Sequence, residues 1–325
     1  MCLQIIQKRE TNNTLLDTLA QLPPTALEKG SMDTLKKRAR SKWYTQKITL
    51  HLFDIESELN KYYSSAYHCN NILKQKGKEI KGKYCNSRIC NVCNRIRTAK
   101  LMNGYIKPLT ELGELEFTTL TLKNCKKQDL KATIEGMQKN RSLIFRKIRE
   151  KLKIDFSGIV KIEVTYNPND DTYHPHFHIL SNHSTGSLIV DEWLKRYPSP
   201  IAEKWAQKVV SADHNSLKEL FKYSTKFLVK DTKAKTLNIY VHALDTIMIA
   251  LYKKRTFQTF GALKKIQINE DIEVEDLKTQ IIEDIEEIEN YKEWIYDYEG
   301  ADWYDSCHKP LTNYKPPDIE FQYFL

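Results

Sequence analysis

The chain has 325 residues, of which 41% are hydrophobic, with ten glycines and ten prolines, so a fibrous or fully disordered protein is excluded. No run approaches the roughly 18 apolar residues of a membrane span, and the amino terminus lacks the apolar stretch of a signal peptide. The net charge of +9 conceals a split, because residues 270–325 carry 17 acidic and four basic side chains while the first 269 residues carry a net charge of +22. This basic excess favours nucleic acid as a partner, although a lysine-rich solvated surface has the same composition. We expect a cytoplasmic protein whose cysteines are reduced thiols or metal ligands, with no membrane partner.

Composition divides the chain into four segments: a basic, partly helical extension over residues 1–60, a cysteine-rich module over 61–105, the main domain over 106–268, and an acidic segment over 269–325. The acidic segment contains the pattern of one amphipathic helix from Leu277 to Tyr298. In the main domain, strands follow one another in hairpins and are crossed by helices. The expected fold is therefore α+β, with a central mainly antiparallel sheet flanked by helices, a small zinc-binding module and an acidic helical C-terminal segment.

Four cysteines of the second segment have the spacing C-x15-C-x4-C-x2-C: Cys69, Cys85, Cys90 and Cys93. Close pairs of this kind let thiolates reach one tetrahedral zinc ion, which would hold together a stretch poor in bulky apolar residues. The alternatives are four unrelated thiols, or a site in which His68 replaces one sulfur. Three arginines of the same module are candidates for contacts with DNA phosphates: Arg88, Arg95 and Arg97. Outside it, Cys2, Cys125 and Cys307 are interpreted as ordinary thiols.

The main domain begins with a strand over Phe117–Leu122 that shows Thr119 and Thr121 on one face, followed by a helix from Asp129 to Lys153. A second strand over Gly158–Tyr166, a turn near Asp170 and a return strand over Tyr173–Leu180 form a predicted hairpin.

The return strand places three imidazoles on one face, those of His174, His176 and His178. If the turn is centred near Asp170 and Asp171, Glu163 lies opposite His178 on that face, whereas a slip of one residue would turn it away. Two neutral imidazoles and a carboxylate, with open positions for water or a phosphate oxygen, suit Mg²⁺ or Mn²⁺. We therefore predict a catalytic metal site made by His176, His178 and Glu163.

A helix expected over Ser216–Lys230 turns Glu219, Tyr223, Lys226 and Lys230 away from its apolar stripe. Most tyrosines pack in cores or interfaces, but Tyr223 has a carboxylate four residues before it and an ammonium three residues after it. A phenol is a weak nucleophile at its usual pKa near 10, so a metal-polarised phosphate and the nearby Lys226 would be needed for its attack.

These residues resemble the HUH endonucleases, specifically the single-tyrosine rolling-circle replication initiators of small bacterial plasmids. The matching segments run from about Tyr67 to Leu263 in family order: Tyr84–Cys93, Phe117–Lys123, His174–His178 within the string HPHFH, Glu219–Lys226 and Lys254–Gly261. Two features depart from the family pattern, namely Asn91 in place of proline and the acidic segment.

The resemblance implies a site-specific single-strand DNA endonuclease and strand transferase. His176 and His178 would hold the metal over the scissile phosphate of origin DNA, in a single-stranded or cruciform region. Tyr223 would attack it, leaving a 5′-phosphotyrosyl link and a 3′-OH primer, and Glu219 would act as the base during termination. A host helicase and a single-strand-binding protein are implied as partners.

Two other readings remain open from the residues. The histidine strand also fits the pattern of histidine-triad nucleotide hydrolases, which leaves the cysteine module and the Tyr223 stripe unexplained. A non-catalytic zinc protein that binds an operator fits the charge but leaves three aligned histidines without a role.

Overall fold

The computed structural model describes residues 32–77, 79–153, 155–221, 229–231, 236–266 and 291–325. The helices are α1 (Met32–Thr49), α2 (Asn60–Tyr67), α3 (Asn91–Glu111), α4 (Leu130–Leu152), α5 (Gly186–Arg196), α6 (His214–Phe221) and α7 (Val241–Leu251). The strands are β1 (Ile72–Lys76), β2 (Glu79–Gly82), β3 (Leu115–Thr121), β4 (Gly158–Asn167), β5 (Thr172–Asn182), β6 (Lys208–Ser211), β7 (Val229–Asp231), β8 (Thr236–Tyr240), β9 (Phe257–Phe260), β10 (Lys292–Asp297), β11 (Asp302–Tyr304) and β12 (Glu320–Phe324). Among these described helices, none is long and apolar enough to cross a membrane.

The described residues form two compact units. We call residues 101–221 with 250–266 the sheet unit, and residues 32–100 with 229–249 and 291–325 the cysteine unit. The expected α+β class with a mainly antiparallel sheet flanked by helices is confirmed.

The sheet unit is built on five antiparallel strands in the order β6-β3-β5-β4-β9. Alternation along these strands separates two faces. The apolar face carries Val160, Ile162 and Phe177 and packs against α4 and α5, where Trp193 meets the ring of Phe177. The opposite face, which we call the histidine face, carries the polar residues described below. Its covering helix is α6, whose Phe221 contacts Phe257 of β9.

The cysteine unit contains an antiparallel sheet in the order β11-β10-β1-β2 and a three-stranded sheet in which β12 lies parallel to β8. One core joins α1, β1 and β10 through Leu35, Leu73 and Trp294. A second core surrounds the cysteines with apolar side chains such as Leu52 and Ile239. The cysteine-rich segment is itself poor in bulky apolar residues, and many of the side chains around its cysteines come from α1, the turn after it, β8 and α7.

Two predicted helices differ from the structure. The helix expected to reach Lys230 is described as α6 only to Phe221, and Lys230 lies in strand β7, which pairs with β8. The helix expected over Leu277–Tyr298 is wrong at its end, because residues 292–297 form β10; residues 267–290 lie outside the described residues. In β10 alternate side chains such as Trp294 and Tyr296 are buried, which favours a strand over a helix.

Candidate functional site

The hairpin of β4 and β5 brings one carboxylate to two imidazoles. Glu163 lies opposite His176, and Lys161 lies opposite His178. The predicted register, with Glu163 opposite His178, was wrong by two residues because Pro168–Asp171 form a four-residue loop closed by the pair Asn167 and Thr172. A shift of two residues preserves the face, so Glu163 still joins the histidines as expected.

One ligand atom from each of Glu163, His176 and His178 lies within 4.8 Å of the others, and all three residues are buried. Glu163 Oε2 is 3.5 Å from Nε2 of His176 and 3.8 Å from Nε2 of His178. The three residues could therefore hold one metal ion. The third aligned histidine, His174, lies outside this group, and its ring is 5.3 Å from that of His176.

Neighbouring oxygens orient both imidazoles. Nδ1 of His176 is 3.1 Å from the carbonyl oxygen of His174, and Nδ1 of His178 is 3.3 Å from Oγ1 of Thr119 on β3. A proton on Nδ1 of each ring would leave the lone pair of Nε2 available to a metal ion, as in metal-ligating histidines. In the metal-free protein, Nε2 of His176 donates a hydrogen bond to Glu163 instead. Among the described residues, no group forms a hydrogen bond with the buried Nε2 of His178, which fits a metal ligand.

Lys161 is a buried lysine of this face that sequence reasoning missed. Its Nζ pairs with Oε1 of Glu163, so the second carboxylate oxygen faces the imidazoles, and it also donates to the carbonyl oxygen of Glu219 at 3.0 Å. Lys161 thus links the carboxylate to α6. The signal in the sequence was the alternation that places positions 161 and 163 on one face of β4.

Burial and charge set the protonation of the site. Burial, reinforced by repulsion from His176, lowers the pKa of His178 to about 4. Burial alone would raise the pKa of Glu163, but hydrogen bonding from His176 and the charge of Lys161 outweigh it and hold that pKa well below its usual range. Neutral His178 and ionised Glu163 at neutral pH are the forms that bind a hard divalent cation.

Helix α6 carries Glu219 to the histidine face. The helix begins after Asp213, whose carboxylate accepts the backbone N–H of Ser216 at 2.7 Å. Glu219 is half-buried, and its charge acts on His178. The other two predicted residues of this segment, Tyr223 and Lys226, lie outside the described residues.

The four predicted zinc ligands lie together in the cysteine unit, where Cys69, Cys85, Cys90 and Cys93 each place a sulfur within 4.8 Å of the others. Sγ of Cys93 is 3.7 Å from that of Cys69 and 3.6 Å from that of Cys85. A tetrahedron with Zn–S bonds of about 2.3 Å has edges of about 3.8 Å, so the sulfurs fit one zinc ion. His68, the alternative ligand, lies outside the group and its Nδ1 is 3.0 Å from Nδ2 of Asn71.

The four thiols interact strongly. Sulfur neighbours and burial raise the pKa of Cys85, since a thiolate there would lie beside other sulfurs. Burial would also raise the pKa of Cys90, but hydrogen bonds from the other three thiols outweigh it and lower that pKa. A cation would allow all four to ionise.

A buried lysine of α1, which sequence reasoning did not identify, lies beside the cysteines. Nζ of Lys42 donates to the carbonyl oxygens of Cys69 at 2.7 Å and Tyr67 at 3.3 Å, and it lies 4.6 Å from the ring centre of Tyr296. Burial lowers the pKa of Lys42 to about 8, an effect that the nearby sulfurs partly oppose.

The predicted DNA-contacting arginines lie in different surroundings. Arg97 is buried, and its guanidinium donates to Oδ1 of Asn94 at 2.9 Å and to the carbonyl oxygen of Asn86 at 3.0 Å, so it braces the cysteine loop. Arg88 is half-buried and Arg95 is exposed.

The described residues therefore define an α+β protein with two groups of side chains that could each hold a metal ion: a two-histidine, one-carboxylate group on an antiparallel sheet and a group of four cysteines. Residues 76–186 match the family model described as replication protein, so this segment is similar to the Rep replication proteins, as its motifs predicted.

Curated relatives agree with this assignment. The chain is 28% identical over 207 residues to a "Protein rep" of Streptococcus pneumoniae serotype 2, covering 57% of this chain and 62% of that protein. It is 29% identical over 230 residues to a "Protein rep" of Staphylococcus aureus, covering 61% of this chain and 96% of that protein. A "Protein rep" of a Bacillus species is 34% identical over 106 residues, 30% of this chain and 33% of its own length. No solved structure matches the chain.

Proposed function

We propose that this protein initiates rolling-circle replication by nicking a plasmid origin through attack of Tyr223 on a phosphodiester held at the histidine face. The observation that carries the proposal is the convergence of Glu163, His176 and His178 under α6, the helix that leads into Tyr223 along the chain. Similarity to replication proteins and the net charge of +22 in the first 269 residues support DNA as the substrate.

The chemistry follows from the site. A bound Mg²⁺ or Mn²⁺ would polarise the scissile phosphate and neutralise its developing charge. The phenol of Tyr223 loses its proton to solvent, and its oxygen forms a bond to phosphorus while the bond from phosphorus to the 3′ oxygen breaks. The leaving oxygen takes a proton and becomes the 3′-OH primer, and the 5′ phosphate stays on the tyrosine. Lys226 is assigned to charge stabilisation near the phenol.

Glu219 is proposed as the base of the terminating cleavage, which would resolve the covalent intermediate. Its half-buried position and the Lys161 bond to its carbonyl oxygen support a location beside the metal ligands. Glu219→Gln is expected to retain the first nick while slowing release of the attached DNA, measured as persistence of the covalent complex. Equal loss of both steps would contradict this role.

The cysteine site is proposed to hold a structural zinc ion, and the exposed Arg95 to contact phosphates. Origin DNA is the proposed partner, and a host helicase and single-strand-binding protein are proposed to extend and protect the strands. Metal analysis of protein purified in reducing buffer should find about one zinc per chain.

The test of nicking incubates the protein with a labelled single-stranded origin oligonucleotide and Mn²⁺ or Mg²⁺, followed by a denaturing gel. Wild type should form a covalent protein–DNA band, and Tyr223→Phe should abolish it. A band that persists in Tyr223→Phe would refute the nucleophile. Specific origin binding without any cleavage would instead favour the non-catalytic regulator.

A further inference from the structure

Trp205 differs from the other tryptophans of this protein. Trp43, Trp193, Trp294 and Trp303 are buried, whereas Trp205 is 84% exposed. It lies in a short 3-10 helix, Lys204–Ala206, which precedes the edge strand β6. Neighbouring Ile201 is also exposed, so two apolar side chains share one stretch of surface chain.

The segment around Trp205 is firmly attached to the sheet. Oε1 of Gln207 accepts the backbone N–H of Thr121 at 2.8 Å, and Nε2 of Gln207 donates to the carbonyl oxygen of Glu203 at 2.8 Å. The backbone N–H of Lys123 donates to the carbonyl oxygen of Ile201 at 2.8 Å. The exposed indole is therefore presented by an anchored segment, which lowers the entropy lost when it binds a ligand.

This segment adjoins the metal site through the sheet register. Thr121 pairs with His176, and Thr119 pairs with His178 on one side and with Lys208 on the other. Directly opposed residues share a face, so Lys208 belongs to the same row of the histidine face as His178. Three exposed lysines are close to Trp205 in the chain or joined to its segment. Lys204 and Lys208 precede and follow it in sequence, and the backbone of Lys123 is hydrogen-bonded to Ile201.

We propose that Trp205, with Lys123, Lys204 and Lys208, forms a binding surface for single-stranded DNA that continues from the metal site over the β3–β6 edge. The proposal rests on the nickase function proposed above and adds a substrate-positioning residue to it. Trp205 would stack on a base that lies beyond the scissile phosphate, and the lysines would contact the flanking phosphates.

Single-stranded DNA suits this surface better than a duplex. Exposed lysines before and after the indole in the chain match a strand whose phosphates alternate with accessible base faces. In a duplex those faces are covered by neighbouring bases, so an indole could reach them only after unstacking. Continuity with the histidine face supplies the path that the strand would follow.

The test uses the full chain and dT12 without added Mg²⁺ or Mn²⁺, so that no cleavage is required. Because the other four tryptophans are buried, dT12 should quench the solvent-accessible tryptophan emission in a saturable manner. Anisotropy of labelled dT12 should show that Trp205→Ala weakens binding by about 5- to 150-fold, the range measured for loss of one stacked base. Trp205→Phe should lie between wild type and Trp205→Ala.

Tyr252→Ala is the matched control. Tyr252 is an exposed aromatic residue of the same unit. It lies next to Lys254, which forms an ion pair with Glu135 of α4, the helix that packs on the apolar face of the sheet. This variant should bind dT12 as wild type does. Unchanged affinity of Trp205→Ala for dT12 would overturn the proposal. So would a Trp205→Ala variant that differs from wild type only in its self-association.

The two proposals fail separately. If Trp205→Ala binds dT12 normally while wild type forms the covalent complex, only the binding surface is wrong. If binding depends on Trp205 but no covalent complex forms with origin DNA, the surface stands and the nickase function fails.

Discussion

Lys161 and Glu163 form a buried ion pair whose stability depends on both partners. A charge left alone in a buried site is strongly destabilising, whereas removal of both charges is often tolerated. We expect Lys161→Met to lower the free energy of unfolding of the metal-free protein by about 3–5 kcal/mol. The double variant Lys161→Met, Glu163→Gln should recover most of that loss, as measured by denaturant unfolding.

Lys208→Met is the control for this comparison of single and double variants, because Lys208 lies in the same row of the sheet as His178 but is exposed. Its effect should stay within about 0.5 kcal/mol. Strictly additive losses in the double variant would show that the two buried side chains do not act as a pair.

His178 provides a pH-dependent readout of the same face. Its pKa of about 4 in the folded protein lies below the ordinary value of 6.5, so between these pH values the unfolded chain binds a proton that the folded chain does not. Stability must therefore fall as the pH drops through that window, by about 3 kcal/mol from this residue alone.

His178→Gln removes this contribution. In metal-free protein, wild type should lose about 3 kcal/mol more than the variant between pH 7 and pH 4 in urea unfolding. Equal pH dependence of the two proteins would mean that His178 titrates normally and is not held neutral by its surroundings.

At the scale of elements, α1 supplies a charge to a site formed by other segments. A zinc ion with four thiolates carries a double negative charge, and Lys42 is the buried cation bonded to the backbone of Cys69. Lys42→Met should speed zinc release to a chelating dye and weaken zinc affinity about 10- to 100-fold, the range for outer-shell partners. Lys36→Met, on the exposed side of the same helix, should leave both unchanged.

Alternation of residue types was sufficient to predict the β4–β5 hairpin and the common face of Glu163, His176 and His178. It could not set the register, because the loop length depends on backbone geometry between Asn167 and Thr172. Helical periodicity also could not predict that α6 ends before β7, because it carries no information about the pairing of β7 with β8. Lys42 was missed for a related reason, as its burial depends on β10 and the loop after α2.

At the scale of the whole molecule, the contacts that escaped prediction are distant in sequence. Strand β10 of the acidic segment pairs with β1, joining Ile295 to Ile72, and no local pattern near either residue signals the pairing. The spacing of the four cysteines was informative because tetrahedral zinc imposes its own geometry. The exposed Trp205 carries no periodic signal and is recognised only from its surface position.

The most direct test of the central claim maps the covalent bond in the whole protein. After reaction with origin oligonucleotide and Mn²⁺, nuclease trimming and trypsin digestion, mass spectrometry should find a nucleotide on the peptide of residues 223–226, which contains Tyr223 as its only tyrosine. His176→Ala and His178→Ala should greatly reduce that product. A nucleotide on a different residue, or cleavage without any linked peptide, would contradict the account.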